Sequence, residues 1–331
     1  MKNTIPKVSI IVPIHNAGNR LIRCIDTLVN QTLKEIEIIL ILDCPTDGSD
    51  QIARQFALKD ERIIILENET NFHTGRSRSR GLMLAKGEYI GFSDHDDYRE
   101  LTMYEELYNC AKKENSDIVL GISVSVGDQD EIMLFPPDLN AKDLQEYALI
   151  DLIKGGNDLT FTPISTNIHP NIYKTELIQK NNICFVDTLT CTPEDRIFQI
   201  MCLLNAKNVS LHTNHLYYHV IHKLSTGHTS NYTSSKTRAC GRMKIFEFLK
   251  STNNYEKYEM YFLEGTKKEF ANLIINEFLI TKNPFHFFKL MHTLKSFPFC
   301  KIAFRNTSYS LDKYHWYGKS AHKLVSFLMK I

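Results

Sequence analysis

Short apolar runs alternate with helix-forming stretches along the first 120 residues of the chain. The apolar runs, rich in Ile, Val and Leu, span 8–13, 36–42, 62–66, 88–92 and 117–120. The helical patterns between them span 20–30, 49–59, 75–86 and 102–114. This alternation predicts consecutive βα units and an α/β fold with a mostly parallel central sheet. Because the runs are apolar without alternation, we expect helices on both faces of the sheet.

The pattern is less regular beyond residue 121, where one helical segment stands out. Pro193 precedes a stretch in which apolar residues such as Ile197 and Met201 recur at helical spacing. Glu194 and Asp195 fall in the first turn of this predicted helix. Acidic side chains are favoured there by the helix dipole, so one interpretation of the pair is N-terminal capping.

Polar side chains follow three of the predicted strands directly. His15 and Asn16 come after the first strand, Asp43 and Asp47 after the second, and 94–97 after the fourth. Because ligands of such sheets bind beyond the carboxyl ends of the strands, we expect these residues to share one site. The chain has neither the glycine fingerprint of a dinucleotide-binding dehydrogenase nor a P-loop, and both of those classes are disfavoured.

The acidic segment after the fourth strand reads Asp94, His95, Asp96, Asp97. In extended backbone, residues two apart face the same way, so Asp94 and Asp96 are predicted to point at one position. Two hard oxygen ligands at a strand end suit Mg²⁺ or Mn²⁺. The alternative is a solvated acidic loop, or a cap for the helix that begins near Thr102.

The order of these motifs resembles that of the family 2 glycosyltransferases of GT-A fold. The motifs that carry the resemblance are Val12-Pro13-Ile14-His15-Asn16, Asn30-Gln31-Thr32, Asp43 with Thr46-Asp47-Gly48-Ser49, Ser77-Arg78-Ser79-Arg80-Gly81-Leu82, Ala85-Lys86-Gly87-Glu88-Tyr89-Ile90, Asp94-His95-Asp96-Asp97, Pro193-Glu194-Asp195, and Tyr217-Tyr218 with His222 and Ser225. The likeness covers roughly residues 7–226. It implies inverting transfer of a sugar from a nucleotide-diphosphate donor, expected to be a UDP-sugar. The acceptor would be a hydroxyl of a saccharide or lipid-linked saccharide, in bacterial surface-polysaccharide assembly.

The resemblance also implies roles for the acidic residues. Asp96 and Asp94 would hold Mn²⁺ or Mg²⁺, which neutralises charge on the departing diphosphate. His222 would be a third ligand from a closing loop, although a lone histidine in a Tyr-rich segment is also typical of packing. Asp195 would be the general base for the acceptor hydroxyl, and Glu194 would orient the acceptor or raise the pKa of Asp195.

A further set of residues is implied to bind the nucleotide-sugar. Its members are Pro13, His15, Asn16, Asp43, Arg78, Asp94 and His95. His15 would stack on the base, Asp43 would accept from the uracil imide N–H, and Arg78 would hold the nucleotide or its pyrophosphate. Asn167 and His169, which stand just before Pro170, are expected to line the acceptor cleft.

The C-terminal part of the chain differs in charge and composition. The net charge of the whole chain is +1, whereas nine basic residues against Asp312 alone give residues 280–331 a charge of +8. Aromatic residues are interleaved with these basic ones. We predict a catalytic domain over 1–235 and a helical basic and aromatic region over 236–331. That region is expected either to pack on the catalytic domain or to contact an anionic membrane surface. No nucleic-acid partner is expected.

The remaining features bear on compartment and on rival functions. The eight cysteines form no C-x-x-C pair, and no segment approaches the length of an apolar membrane span. A cytoplasmic protein, or one peripheral on the inner face of the cell membrane, is therefore expected. A nucleotidyltransferase of similar fold and a catalytically inactive sugar-nucleotide-binding or membrane-docking module remain as alternatives.

Overall fold

The computed structural model describes residues 5–126, 141–155, 167–221, 232–277 and 284–306, together with Met329. Within these ranges the strands are β1 (Val8–Ile14), β2 (Ile36–Leu42), β3 (Ile63–Glu67), β4 (Tyr89–Phe92), β5 (Tyr98–Arg99), β6 (Ile118–Val126), β7 (Ile172–Lys174) and β8 (Val209–Val220). The helices are α1 (Arg20–Val29), α2 (Ser49–Ala57), α3 (His73–Leu84), α4 (Met103–Glu114), α5 (Ala141–Lys154), α6 (Thr175–Lys180), α7 (Glu194–Asn205), α8 (Tyr232–Ser251), α9 (Tyr255–Asn276), α10 (Pro284–Lys295) and α11 (Cys300–Asn306). The predicted βα units are confirmed, since β1–β4 and α1–α4 end close to the predicted boundaries.

In the described part of the chain, eight strands form one sheet in the order β3-β2-β1-β4-β7-β6-β8-β5. Parallel pairs join β1 to β2 and β4, β2 to β3, and β6 to β8. β7 is antiparallel to β4 and β6, and β5 is antiparallel to β8. All strands except β5 and β7 therefore point the same way, which confirms the predicted α/β class with a mostly parallel sheet.

The registers bring the carboxyl ends of β1, β2 and β4 together. Ile14, the last residue of β1, pairs with Leu42, the last residue of β2. Ile11 pairs with Phe92, the last residue of β4. The amide of Asp43 donates to the carbonyl of Ile14 at 2.9 Å. The segments that follow these three strands therefore leave the sheet at the same edge.

Apolar clusters cover both faces of the sheet, which explains why its strands read as continuous apolar runs. One face of β1, with Ile10, packs against α1 and α4 through Leu21 and Leu107. The other face, with Ile11, belongs to a cluster that includes Phe92 and continues into helices α5 and α7. The core is thus shared between two helical layers.

Helices α8 to α11 extend the second apolar cluster. Phe262, Phe270 and Phe299 are buried in it, and α9 lies against α5, α8 and α11. The predicted helical C-terminal extension is confirmed by these helices, whereas the predicted division between residues 235 and 236 stays a prediction. No helix among the described residues is both long enough and apolar enough to span a membrane.

Candidate active site

Arg78 on α3 joins the tip of β4 to the start of α7. Its side chain is 2% exposed, and its Nη2 donates to Asp94 Oδ1 at 2.9 Å. Its Nη1 contacts the first two residues of α7, at 3.3 Å from Glu194 Oε1 and in a closer ion pair with Asp195. We call these four residues the Arg78 cluster, and Glu194 with Asp195 the acid pair. The cluster brings together carboxylates that lie about 100 residues apart in sequence.

Two glycines allow α3 to bring Arg78 this deep into the protein. A Cβ on Gly81 would stand 2.5 Å from Cγ2 of Ile11, so the helix lies directly on β1. A Cβ on Gly75 would stand 2.2 Å from the carbonyl oxygen of Val186. Larger side chains at either position would push α3 away from the sheet or from the segment that leads to α7. The position of the Arg78 guanidinium depends on both contacts.

The charges of the Arg78 cluster shift one another's pKa values. Burial opposes the charge of Arg78, but the three carboxylates raise its pKa above the usual value. Burial raises the pKa of Glu194 to about 7, with a further contribution from the charge of Asp195. Burial also raises the pKa of Asp195, although Arg78 acts against that shift. For Asp94, burial is outweighed by His169 and Arg78, which hold its pKa well below the usual range.

His169 lies against Asp94 rather than apart from the acidic tip. Its Nε2 is 3.1 Å from Asp94 Oδ1 and 3.0 Å from Arg78 Nη2. Its Nδ1 contacts Asn167 Oδ1, which also accepts from the His169 amide at 3.0 Å. Asn167 therefore holds the imidazole ring with its Nε2 toward the acidic tip. Sequence reasoning placed both residues in an acceptor cleft, and only the polar run before Pro170 pointed to them at all.

Asp97 is the most buried carboxylate of the strand tip, at 1% exposure. Its Oδ2 accepts from Tyr217 Oη at 2.6 Å, and its Oδ1 accepts from the Val220 amide at 2.8 Å. One potential ligand atom from each of Asp94, Asp97 and His169 lies within 4.8 Å of the others. Two carboxylates and an imidazole form a donor set suited to Mn²⁺, so this group is a candidate cation site.

Asp96, the other predicted metal ligand of the strand tip, is not a member of this group. The chain turns at His95 and Asp96 instead of continuing extended, so facing residues are no longer two apart. Asp96 is half-buried in this turn, and the His95 Nδ1 lies 3.1 Å from the carbonyl oxygen of the buried Pro13. His222 lies outside the described residues. Metal binding by Asp96 and His222 therefore stays a prediction.

The predicted nucleotide-binding residues line the ends of β1 and β2. Asp43 is 3% exposed, and its Oδ1 accepts from Asn68 Nδ2 at 2.6 Å and from the Phe72 amide at 2.7 Å. His15 is exposed beside it, with Nδ1 2.7 Å from the Asp43 carbonyl oxygen. Asn16, also exposed, comes next. The structure therefore brings His15, Asn16 and Asp43 to one rim, next to the tip of β4.

Three residues on this rim have backbone conformations that sequence reasoning missed. Asn16 after β1, Cys44 after β2 and His73 at the start of α3 all have positive φ, at 51°, 51° and 58°. Side chains other than glycine seldom adopt this region, and such residues concentrate at functional sites. Asparagine and histidine are enriched in this region, whereas cysteine carries no sequence signal for it.

Comparison with known proteins connects this arrangement to one family. The family model described as glycosyl transferase family 2 matches residues 9–171. Over 284 residues the chain is 30% identical to poly(ribitol-phosphate) beta-N-acetylglucosaminyltransferase TarP of Staphylococcus aureus, a match that covers 80% of this chain and 82% of TarP. The chain belongs to glycosyl transferase family 2. The acid pair lies beyond the segment matched by the family model but within the structural core described above.

Other relatives in family 2 are longer than the matched segment. The uncharacterized glycosyltransferase EpsJ of Bacillus subtilis is 33% identical over 214 residues, covering 64% of this chain and 60% of EpsJ. The poly(ribitol-phosphate) beta-glucosyltransferase of Bacillus spizizenii is 30% identical over 218 residues, covering 65% of this chain and 32% of that protein. The match therefore spans less than two thirds of the length of these two relatives.

A solved structure shares the fold of this family 2 chain. S. aureus TarS residues 1–349, in complex with UDP-GlcNAc, matches with a TM-score of 0.71 at 20% identity, covering 98% of this chain and 90% of that one. At 20% identity, this structural similarity supports the fold alone. The GT-A fold implied by the sequence is confirmed.

Proposed function

We propose that this chain is an inverting glycosyltransferase that moves a sugar from a UDP-sugar to an acceptor hydroxyl. The observation that carries the proposal is the Arg78 cluster, which fixes the acid pair opposite Asp94. Membership of family 2 supports the reaction class. The names of TarP, a sugar transferase, and of the TarS complex with UDP-GlcNAc support a UDP-sugar donor.

Asp195 is the proposed general base. Its raised pKa makes its carboxylate a stronger base than a free aspartate, and the neighbouring Glu194, with a pKa of about 7, is partly protonated at neutral pH. Asp195 takes the proton of the acceptor hydroxyl as the acceptor oxygen bonds to the anomeric carbon. The bond from that carbon to the diphosphate oxygen breaks, UDP leaves, and the anomeric configuration inverts.

Asp94, Asp97 and His169 are the proposed holders of Mn²⁺ or Mg²⁺, with Asp96 and His222 as further candidate ligands. The proximity of one potential ligand atom from each of the first three supports this choice. When bound, the cation would neutralise the charge of the departing diphosphate. The buried hydrogen bonds to Asp97 would fix the direction of its carboxylate.

The proposed donor site lies on the rim formed by His15, Asn16 and Asp43. The exposed His15 ring would stack on the base, and Asp43 would accept from its imide N–H. Pro13 and His95 would shape the same site through their mutual contact. Because Arg78 is 2% exposed and faces three carboxylates, we propose that it serves the acid pair more than the pyrophosphate.

The proposed acceptor is a saccharide or lipid-linked saccharide of a bacterial surface polysaccharide, used at the inner face of the cell membrane. Phe285 and Phe288 on α10 are 70% and 66% exposed. Basic residues follow on the same and the next helix, namely Lys289, Lys295 and Lys301. Exposed aromatics beside basic side chains suit an anionic lipid surface. The net charge of +8 over residues 280–331 supports the same proposal.

A panel of nucleotide sugars, incubated with Mn²⁺ or with EDTA, tests the proposal. A glycosyltransferase should release UDP from one donor in a metal-dependent manner, and more quickly with a saccharide acceptor. A nucleotidyltransferase would instead join a nucleoside triphosphate to a sugar phosphate, and pyrophosphate would be released from the triphosphate. Binding of a UDP-sugar with no turnover under any condition would favour the inactive-module alternative and contradict the proposal.

A further inference from the structure

The first turn of α7 is held from two sides, and the second side belongs to the C-terminal helices. Arg196 directly follows the acid pair, and its side chain is 4% exposed. Its Nη2 donates to both carboxylate oxygens of Glu269 on α9, at 3.1 and 3.2 Å. Its Nη1 donates to the carbonyl of Gly155 at 3.2 Å. Arg196 therefore ties the start of α7 to α9 and to the end of α5.

Glu269 lies between two buried arginines. Arg242 on α8 is fully buried, and its Nε is 3.6 Å from Glu269 Oε2. Its Nη1 and Nη2 donate to the carbonyls of Ile153 and Phe262 at 2.6 and 2.7 Å. Burial lowers the pKa of Arg242 to about 9, an effect that Glu269 opposes. We call Arg196, Arg242 and Glu269 the Glu269 cluster.

A second contact, independent of these charges, fixes the residue just before Pro193. The Thr192 amide donates to the Thr237 carbonyl of α8 at 3.1 Å, and the two hydroxyls are 3.0 Å apart. One turn further along α8, a Cβ on Gly241 would stand 2.2 Å from the Thr192 carbonyl oxygen. Helix α8 thus approaches this backbone as closely as a glycine permits.

From these contacts we infer that helices α8 and α9 position the acid pair for catalysis, with Glu269 and Gly241 as positioning residues. The segment 192–196 is bound to α8 through Thr192 and to α9 through Arg196. The acid pair between those two residues faces Arg78 on the other side. A carboxylate that must take a proton from the acceptor depends on placement to within a fraction of an ångström. This inference rests on the proposed role of Asp195.

Glu269→Gln tests the inference, with Glu264→Gln as its matched control. Glu264 lies on the same helix but pairs with Lys154 of α5 at 3.2 Å instead of with Arg196. We expect Glu269→Gln to lower kcat by about 10- to 100-fold while the KM for the donor changes less than about twofold. Glu264→Gln should change neither constant appreciably, and Glu269→Asp, which keeps the charge, should recover part of the loss.

Hydrogen exchange provides a readout that does not depend on transfer. The amides of residues 194–198 should exchange faster in Glu269→Gln than in wild type and in Glu264→Gln. If Glu269→Gln does not fold, Gly241→Ala should give the same low kcat and fast exchange through the Thr192 contact. Wild-type kcat together with wild-type exchange at 194–198 in a folded variant would overturn the inference. Wild-type protein without any transfer would contradict the proposed function, while the exchange result would still decide this inference.

Discussion

Arg78 Nη2 lies 2.9 Å from Asp94 Oδ1, and this ion pair connects the tip of β4 with the guanidinium that holds the acid pair. A single buried cation therefore serves carboxylates from two separate elements. A metal ion bound by Asp94 would therefore also change the electrostatic environment of Asp195, because Arg78 contacts both carboxylates. The strand tip and the start of α7 act as one electrostatic unit.

Replacing Arg78 by methionine should destabilise the fold strongly. The substitution keeps the volume but leaves three poorly exposed carboxylates without their cation, a change that costs about 3–5 kcal/mol in comparable buried clusters. Urea unfolding measures this loss in the free energy of unfolding. Arg54→Met is the control, because Arg54 and Glu67 are 48% and 59% exposed, and such surface pairs contribute about 0–1 kcal/mol. Equal losses for the two variants would contradict the role given to Arg78.

Stability should depend on pH through Glu194. Its pKa is raised from 4.5 to about 7, so the folded protein binds more protons than the unfolded chain between these values. The stabilisation that this group contributes is complete below about pH 4.5 and is lost as pH rises through about 7. The stability of Glu194→Gln relative to wild type should therefore be greater at pH 7.5 than at pH 5. Urea unfolding at both pH values measures this difference. If the stability difference between Glu194→Gln and wild type is the same at the two pH values, the pKa of Glu194 is not raised.

The candidate cation site should bind Mn²⁺ through Asp94, Asp97 and His169. His169→Gln should weaken Mn²⁺ binding, measured by calorimetry on the folded protein, by about tenfold or more. His212→Gln is the control, since His212 is also paired with a carboxylate, at 2.9 Å from Glu106 Oε2, but on another part of the sheet. Unchanged Mn²⁺ affinity in His169→Gln would remove His169 from the site and favour Asp96 or His222.

Membrane binding should depend on the exposed phenylalanines of α10. Replacing both Phe285 and Phe288 by serine should reduce co-sedimentation with phosphatidylglycerol vesicles, and higher salt should reduce it further for the wild type. Leu58→Ser is the control, because Leu58, just after α2, is 88% exposed. If the wild-type protein does not co-sediment with the vesicles at low salt, the exposed phenylalanines of α10 do not form a membrane-binding surface.

Much of the fold was predictable because β1, β2 and β4 are buried along their whole length and consist mostly of apolar residues. Two of the strands that sequence reasoning missed are short, β5 (Tyr98–Arg99) and β7 (Ile172–Lys174), and a third, β8 (Val209–Val220), is long but carries polar residues through its middle. Two or three residues show no periodicity, and their pairing partners lie far away in sequence. β5, for example, pairs with Tyr217 and Tyr218. Such strands depend on tertiary contacts that spacing does not reveal.

The site was predictable only in part, for two physical reasons. The expectation that Asp94 and Asp96 face one point assumed extended backbone, but the chain turns there and brings Asp97 beside Asp94 instead. The contact of Arg78 with Asp195 spans 117 residues. No local pattern reveals such a pairing, although both residues stood in motifs of the resembled family.

The most direct test of this account is the transfer rate of Asp195→Asn with saturating acceptor. Asparagine is nearly isosteric and still accepts from Arg78, but it cannot take up a proton. We predict that folding and donor affinity survive while kcat falls by about 10²- to 10⁴-fold, with a smaller loss for Glu194→Gln. If the kcat of Asp195→Asn equals that of wild type, Asp195 is not the general base, and Glu194 is the remaining candidate.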